Sequence, residues 1–126
     1  PPAVQVKLER HGAMKIMHNP RCSKSRQTLA LIEQAGIEPE VVLYLETPPT
    51  AAELEEILGK LGLEPIELIR RGEEIYKQLG PGGRELSRQE AIELMVAHPI
   101  LIERPIVIAG ERAVLGRPPE NVNELL

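Results

Sequence analysis

Two short apolar runs with one helix-length stretch between them set the limits on this chain's fold. The first is Met14-Lys15-Ile16-Met17. The second, Val41-Val42-Leu43-Tyr44-Leu45, is continuous and rich in β-branched residues, the mark of a buried strand. Between them Leu29, Ile32 and Ala35 recur at helical spacing, with Leu31 beside them, and Gly36 stands where a C-terminal cap belongs. The pattern predicts a strand over 14–17, a helix from Cys22 to about Ala35 and a strand over 41–45. Strand, helix and strand with short links form a βαβ unit with parallel strands and a right-handed crossover.

Downstream, Thr47-Pro48-Pro49 breaks the chain. Thr50-Ala-Ala-Glu53 is a capping box, and Leu54, Ile57, Leu58 and Leu61 form the stripe of the helix it opens, ended by Gly62. Pro65 begins a short helix that includes Ile66, Leu68 and Ile69 and ends near Arg70. Residues 73–79 read as another helical segment, stopped by a Gly-Pro-Gly-Gly run. Ser87-Arg-Gln-Glu90 is a second capping box, followed by Ala91, Leu94, Met95 and His98 on one face. His98, before Pro99, is expected as a structural cap. Ile106–Ala109 and Ala113–Leu115 flank a Gly-Glu-Arg turn and read as a β-hairpin, with a last short helix from Pro118 to about 125. The order is βαβ, a helical insert, then ββα. That describes an α/β fold in which an antiparallel hairpin completes a parallel pair. Residues 1–13 fit poorly with this pattern and are expected to be an added segment or an alternative-start extension, leaving 14–126 as a single domain.

The chain has 126 residues, enough for one real core, and its net charge of −4 comes from well-mixed charges. No long basic run points to nucleic acid, and with two tyrosines, no Phe and no Trp there is no base-stacking platform. No apolar run approaches membrane-spanning length. One cysteine excludes an internal disulfide framework and a cysteine-built zinc site, and no metal site is expected. A free thiol fits a cytoplasmic, reducing setting.

That cysteine, Cys22, lies in His18-Asn19-Pro20-Arg21-Cys22-Ser23-Lys24-Ser25-Arg26, between the first strand and its helix. A helix N-terminus presents free N–H groups and a partial positive charge, so it holds anions and favours thiolate over thiol. Arg21, Lys24 and Arg26 add positive charge nearby. Most free cysteines are small buried hydrophobes, but an electropositive turn at a sheet's carboxyl edge is where reactive thiols and ligands are found. His18, taken alone, is more often structural; four residues before the thiol it can hold the turn or tune the thiolate.

Arg70, Arg104 and Arg117 each stand at the end of an element, and three guanidinium groups around a thiolate would bind a tetrahedral oxyanion by bidentate hydrogen bonds. Spacing alone does not single them out from Arg10, Arg71, Arg84, Arg88 and Arg112, which read as solvated surface charges. Arg104-Pro105 is a candidate cis peptide because X-Pro is the common setting for one, but few such bonds are cis and the residues alone do not assign it.

The chain resembles the glutaredoxin-dependent arsenate reductase family, in its ArsC-like branch. The resemblance covers 14 to about 125 and rests on His18–Arg26, Leu43-Tyr44-Leu45-Glu46, Leu68-Ile69-Arg70, His98-Pro99-Ile100, Glu103-Arg104-Pro105-Ile106-Val107 and Gly116-Arg117-Pro118. It implies a thioredoxin-like fold with a mixed four-stranded sheet and a helical insert. It implies that Cys22 attacks arsenate to form a thiol–arsenate adduct, that Arg70, Arg104 and Arg117 bind the oxyanion, and that His18, Asn19 and Ser25 support the thiolate. It also implies that Pro105 is the cis-proline of such folds. With no second cysteine, an outside thiol must resolve the adduct. The family uses glutathione as co-substrate and then glutaredoxin, with no bound cofactor. A monomer acting in arsenic detoxification is expected. Where members with established activity often carry Gly-Thr after the cysteine, this chain has Ser23-Lys24.

Three other readings stay open, the plainest being an α/β domain with no chemistry, in which Cys22 would have an ordinary thiol pKa near roughly 8.5. A Spx-type RNA-polymerase-binding regulator would share the fold, although Ser25 rules out the Cys-x-x-Cys switch that many of them use. A glutathione-dependent thiol reductase of another small electrophile would keep Cys22 without turning over arsenate.

Overall fold

The computed structural model describes residues 14–82 and 84–126; the expectation for residues 1–13 lies outside the described residues. These residues divide into two compact units, one formed by 14–44 together with 104–126 and the other by 45–103.

In the first unit β1 (Met14–Met17) leads through a turn into α1 (Ser23–Gln34), which returns to β2 (Glu40–Val42). The chain re-enters this unit at β3 (Ile106–Ala109), turns into β4 (Arg112–Leu115), and closes with a 3₁₀ helix over Pro119–Leu125. The sheet order is β2-β1-β3-β4. β1 runs parallel to β2, with Ile16 beside Val41, and antiparallel to β3, with Ile16 beside Val107. β3 pairs antiparallel with β4. This mixed sheet, built from a βαβ half and a ββα half, is thioredoxin-like. Its apolar core gathers Met14, Ile16, Ile32, Ile37, Val107 and Val122, from β1, β3, α1, the connection after α1 and the closing 3₁₀ helix.

The second expected strand is shorter than its apolar run. β2 stops at Val42 rather than running from 41 to 45, and Val41 and Leu45 are 44% and 42% exposed while Tyr44 is buried. β2 is the edge of the sheet, so it is not covered as a central strand would be, and apolar continuity reflects single buried side chains rather than ladder length.

The second unit is helical. It contains α2 (Ala51–Leu61), α3 (Pro65–Leu68), α4 (Glu74–Leu79), α5 (Arg88–Ala97) and a 3₁₀ turn at Pro99–Leu101. α2 begins with a complete capping box between Thr50 and Glu53 and ends at Gly62, whose φ of 69° is the left-handed cap that glycine accepts most readily. Leu54, Leu58, Leu68, Ile92, Met95 and Leu101 make its core. α3 ends two residues sooner than its apolar pattern suggests because Ile69 forms an antiparallel bridge with Ile102. Arg70 N–H donates to Leu101 O at 2.7 Å and Glu103 N–H to Leu68 O at 2.9 Å, so extended pairing replaces helix.

Candidate functional site

The turn after β1 is built by short-range hydrogen bonds. Arg21 N–H donates to Asn19 Oδ1 at 3.0 Å, Cys22 N–H to Asn19 O at 3.0 Å, and the Arg26 guanidinium to Pro20 O at 2.8 Å. An Asn side chain that imitates a backbone turn suits this position. Cys22 is then the N-cap of α1, in an extended conformation, and Arg26 N–H donates to its carbonyl at 3.0 Å. No acidic residue occupies the first turn of α1.

His18 and Ser25 lie beneath this turn, both buried. His18 Nδ1 and Ser25 Oγ are 2.6 Å apart, and Asn19 N–H donates to the same oxygen at 3.0 Å. Ser25 Oγ accepts from Asn19 and has one proton of its own to give, so it donates to Nδ1 when the neutral imidazole carries its proton on Nε2. Burial, and secondarily the Arg26 charge, hold the His18 pKa below the ordinary imidazole value, with Glu33 opposing. A neutral ring fits that hydrogen bond.

The Cys22 thiol is partly buried. Burial alone would push its pKa up, but the Ser25 N–H, the Arg104 charge, the Lys24 N–H and a hydrogen bond from the Arg104 side chain together outweigh it, and the thiol is held below its ordinary value. The side chain closes no capping bond of standard geometry; the amides act on it as oriented N–H dipoles at the helix start.

Arg104 reaches the thiol from the segment before β3, and the Arg104–Pro105 peptide is cis. Arg117 follows β4, and the Arg117–Pro118 peptide is cis as well. The Arg117 guanidinium approaches Arg104 O at 3.5 Å, the long end of hydrogen-bond range. Gly116 N–H donates to Pro105 O at 2.9 Å, tying the two Arg-Pro segments together. The first unit therefore brings Cys22, His18, Asn19, Ser25 and Arg104 together, with Pro105 and Arg117 tied to Arg104 through the backbone contacts just described. Arg70 belongs to the second unit, where its guanidinium pairs with Glu73 at 3.0 Å and donates to Ile100 O at 3.1 Å.

Two contributors are not among the candidate site residues read from the sequence. Thr28 is buried one turn beyond Ser25 and donates to Lys24 O at 2.8 Å and, at longer range, to Gly116 O at 3.4 Å. Gly116 leaves no room for a side chain, since a Cβ there would fall 2.7 Å from Pro105 Cγ and against Thr28. A glycine immediately before an Arg-Pro pair is the signal that could have marked this joint.

Residues 17–125 match the ArsC family. Relatives include the uncharacterised protein YfgD of Escherichia coli strain K12, 53% identical over 90% of this chain and 96% of its own. An arsenate reductase of Neisseria meningitidis is 46% identical over 90% of this chain and 97% of its own. Among solved structures, an arsenate reductase from Vibrio cholerae superposes with a TM-score of 0.86 at 50% identity, covering 90% of this chain and 97% of that one.

Proposed function

Because the chain belongs to the ArsC family, we propose that it is an arsenate reductase whose nucleophile is Cys22 and whose electrons come from glutathione and glutaredoxin. The observation that carries this reading is the thiol's position at the start of α1, facing the Ser25 and Lys24 amides with the Arg104 guanidinium on it. Arsenate is a tetrahedral oxyanion with the charge and shape of phosphate. The same donors that favour a thiolate favour the negative oxygens of the adduct it forms.

The Cys22 thiolate attacks arsenic, an S–As bond forms, and one arsenic oxygen leaves as water after protonation. Glutathione then displaces a second oxygen as water, placing its own sulfur on arsenic. A glutaredoxin thiolate attacks that glutathione sulfur. The glutathione S–As bond breaks with its electron pair going to arsenic, As(V) becomes As(III), and the glutaredoxin–glutathione disulfide departs. Water releases arsenite from Cys22. Arg104 and Arg117 hold the oxyanion, His18, Asn19 and Ser25 fix the turn that presents the thiol, and the family resemblance assigns Arg70 to the same anion. The outside thiols are those of a reducing cytoplasm, and the protein acts as a monomer.

The test is arsenate-dependent NADPH oxidation coupled through glutathione, glutaredoxin and glutathione reductase. Turnover is expected in the wild type and none in Cys22→Ser with its fold intact. Substantial turnover in Cys22→Ser would remove the nucleophile assignment. A wild type with no turnover but a low-pKa thiol would move the substrate to another small electrophile. Arg70→Ala should raise KM for arsenate; an unchanged KM would take Arg70 out of the oxyanion set.

A further inference from the structure

The loop that carries Arg117 is held at the two carbonyls that flank Gly116. The Asn121 side-chain amide donates to Leu115 O at 3.1 Å and to Arg117 O at 3.2 Å, and Thr28 Oγ1 reaches Gly116 O between them at 3.4 Å. An Asn amide has two N–H donors, which matches the two carbonyls it meets; the opposite orientation would set its oxygen against theirs. Carbonyls in a surface loop are ordinarily left to water. Here the two that flank Gly116 are taken by one side chain, that of Asn121. Asn121 is itself anchored, since it sits between buried Pro119 and fully buried Val122 in the closing 3₁₀ helix, and its own N–H donates to Pro118 O at 3.0 Å. The Arg117 side chain is exposed and reaches Arg104 O at 3.5 Å, and the backbone beneath it helps to set where its guanidinium can go.

We propose that Asn121 is a positioning residue for oxyanion binding: its two hydrogen bonds bracket Gly116 and hold Arg117 toward Arg104 and the thiol. This rests on the reading of Cys22 and the arginines as an arsenate site. The Asn121 hydrogen bonds go to Leu115, Arg117 and Pro118 carbonyls, and Arg104 rather than Arg117 lowers the thiol pKa. Loss of Asn121 should therefore weaken oxyanion binding without changing the thiolate, a separation that general damage to the site would not give.

The experiment follows alkylation of Cys22 by iodoacetamide and its slowing by arsenate, which reports thiol reactivity and arsenate Kd separately and needs no turnover. Asn121→Ala should raise the arsenate Kd about tenfold, the scale of two lost hydrogen bonds, with the pH profile of alkylation unchanged. Isosteric Asn121→Asp, which sets acceptors against both carbonyls, should do so at least as strongly and serves if the alanine variant folds poorly. In an Arg117→Ala background, Asn121→Ala should add nothing, because the residue it positions is gone. Wild-type Kd values in both single variants would overturn the proposal, as would a loss that adds in full to that of Arg117→Ala or a matching shift in the thiol pH profile. A wild-type protein that arsenate does not protect at all contradicts the arsenate site itself, a failure distinct from the loss of an Asn121 effect, and withdraws the role given to Asn121 with it.

Discussion

The starts of α1 and of α2 and α5 face the same physical problem and meet it in opposite ways. Each leaves backbone N–H groups without intrahelical partners. In α2, Thr50 Oγ1 accepts from Glu53 N–H at 3.1 Å and Glu53 Oε1 accepts from Thr50 N–H at 2.9 Å. In α5, Ser87 and Glu90 do the same at 3.1 and 3.0 Å. In both, the N-cap and N3 amides are satisfied internally and a carboxylate sits in the first turn, which disfavours an outside anion. In α1 the N-cap is Cys22, no carboxylate lies in the first turn, and the residue at the Glu position, Ser25, turns inward to His18. Its amides are left for a thiolate and for whatever anion the thiolate meets. The first arrangement adds stability; the second gives up that cap and leaves its amides facing the Cys22 thiol.

The largest expected effect on this contrast comes from removing the charge that completes the open end. Arg104→Ala should return the Cys22 pKa toward its ordinary value and lower kcat/KM for arsenate about a hundredfold, the cost of losing one preorganised donor. Wild-type kinetics in that variant would remove Arg104 from the site. Next, Lys24→Glu would give α1 the first-turn acid that α2 and α5 already have. It should raise the thiol pKa and the KM for arsenate while changing unfolding free energy by less than about 1 kcal/mol. A variant with unaltered KM would show that the open helix end is not what holds the anion. Thr50→Ala and Ser87→Ala should each cost about 1 kcal/mol in urea unfolding and leave the thiol titration where it was; a shifted titration would mean that the two kinds of helix start are not independent.

The sequence disclosed this contrast unevenly. Both capping boxes are explicit four-residue patterns, and the hairpin and the βαβ unit follow from apolar spacing, so the sheet's composition was legible. The α1 face was not. Its stripe reads as Leu29, Ile32 and Ala35, whereas the fully buried residues are Ser25, Thr28 and Ile32, and Ala35 is exposed. Ser25 and Thr28 are buried because His18, Asn19, Lys24 and Gly116 satisfy their hydroxyls, and three of those four partners lie outside the helix. Hydrophobic periodicity has no term for that. Cys22 stood out as the lone cysteine of an electropositive turn, and Arg104 and Arg117 became distinguishable from other arginines only through the Arg-Pro pairs and the family resemblance. Asn121 carried no signal, since its role depends on where β4 ends in space.

The smallest expected effects are in the pH dependence of stability. His18 has a folded-state pKa below its unfolded value, so the native state resists its protonation, and stability should fall as pH drops below about 6.5. His18→Gln should flatten that slope, and an identical acid limb would exclude His18 as its source. Cys22 is also depressed, so thiolate-linked stability should grow as pH rises through its folded pKa and be complete above the unfolded value of roughly 8.5. Unfolding of wild type and Cys22→Ser at a series of pH values measures that increment as a widening difference.

Direct titration of Cys22 by its ultraviolet thiolate absorbance, in wild type and in Arg104→Ala, bears most closely on the claim that α1 begins with an end left open for chemistry. A wild-type pKa clearly below about 8.5, moving up toward that value in the variant, is the predicted result. An ordinary pKa in the wild type, unmoved by loss of Arg104, would contradict it and make Cys22 a helix cap like any other.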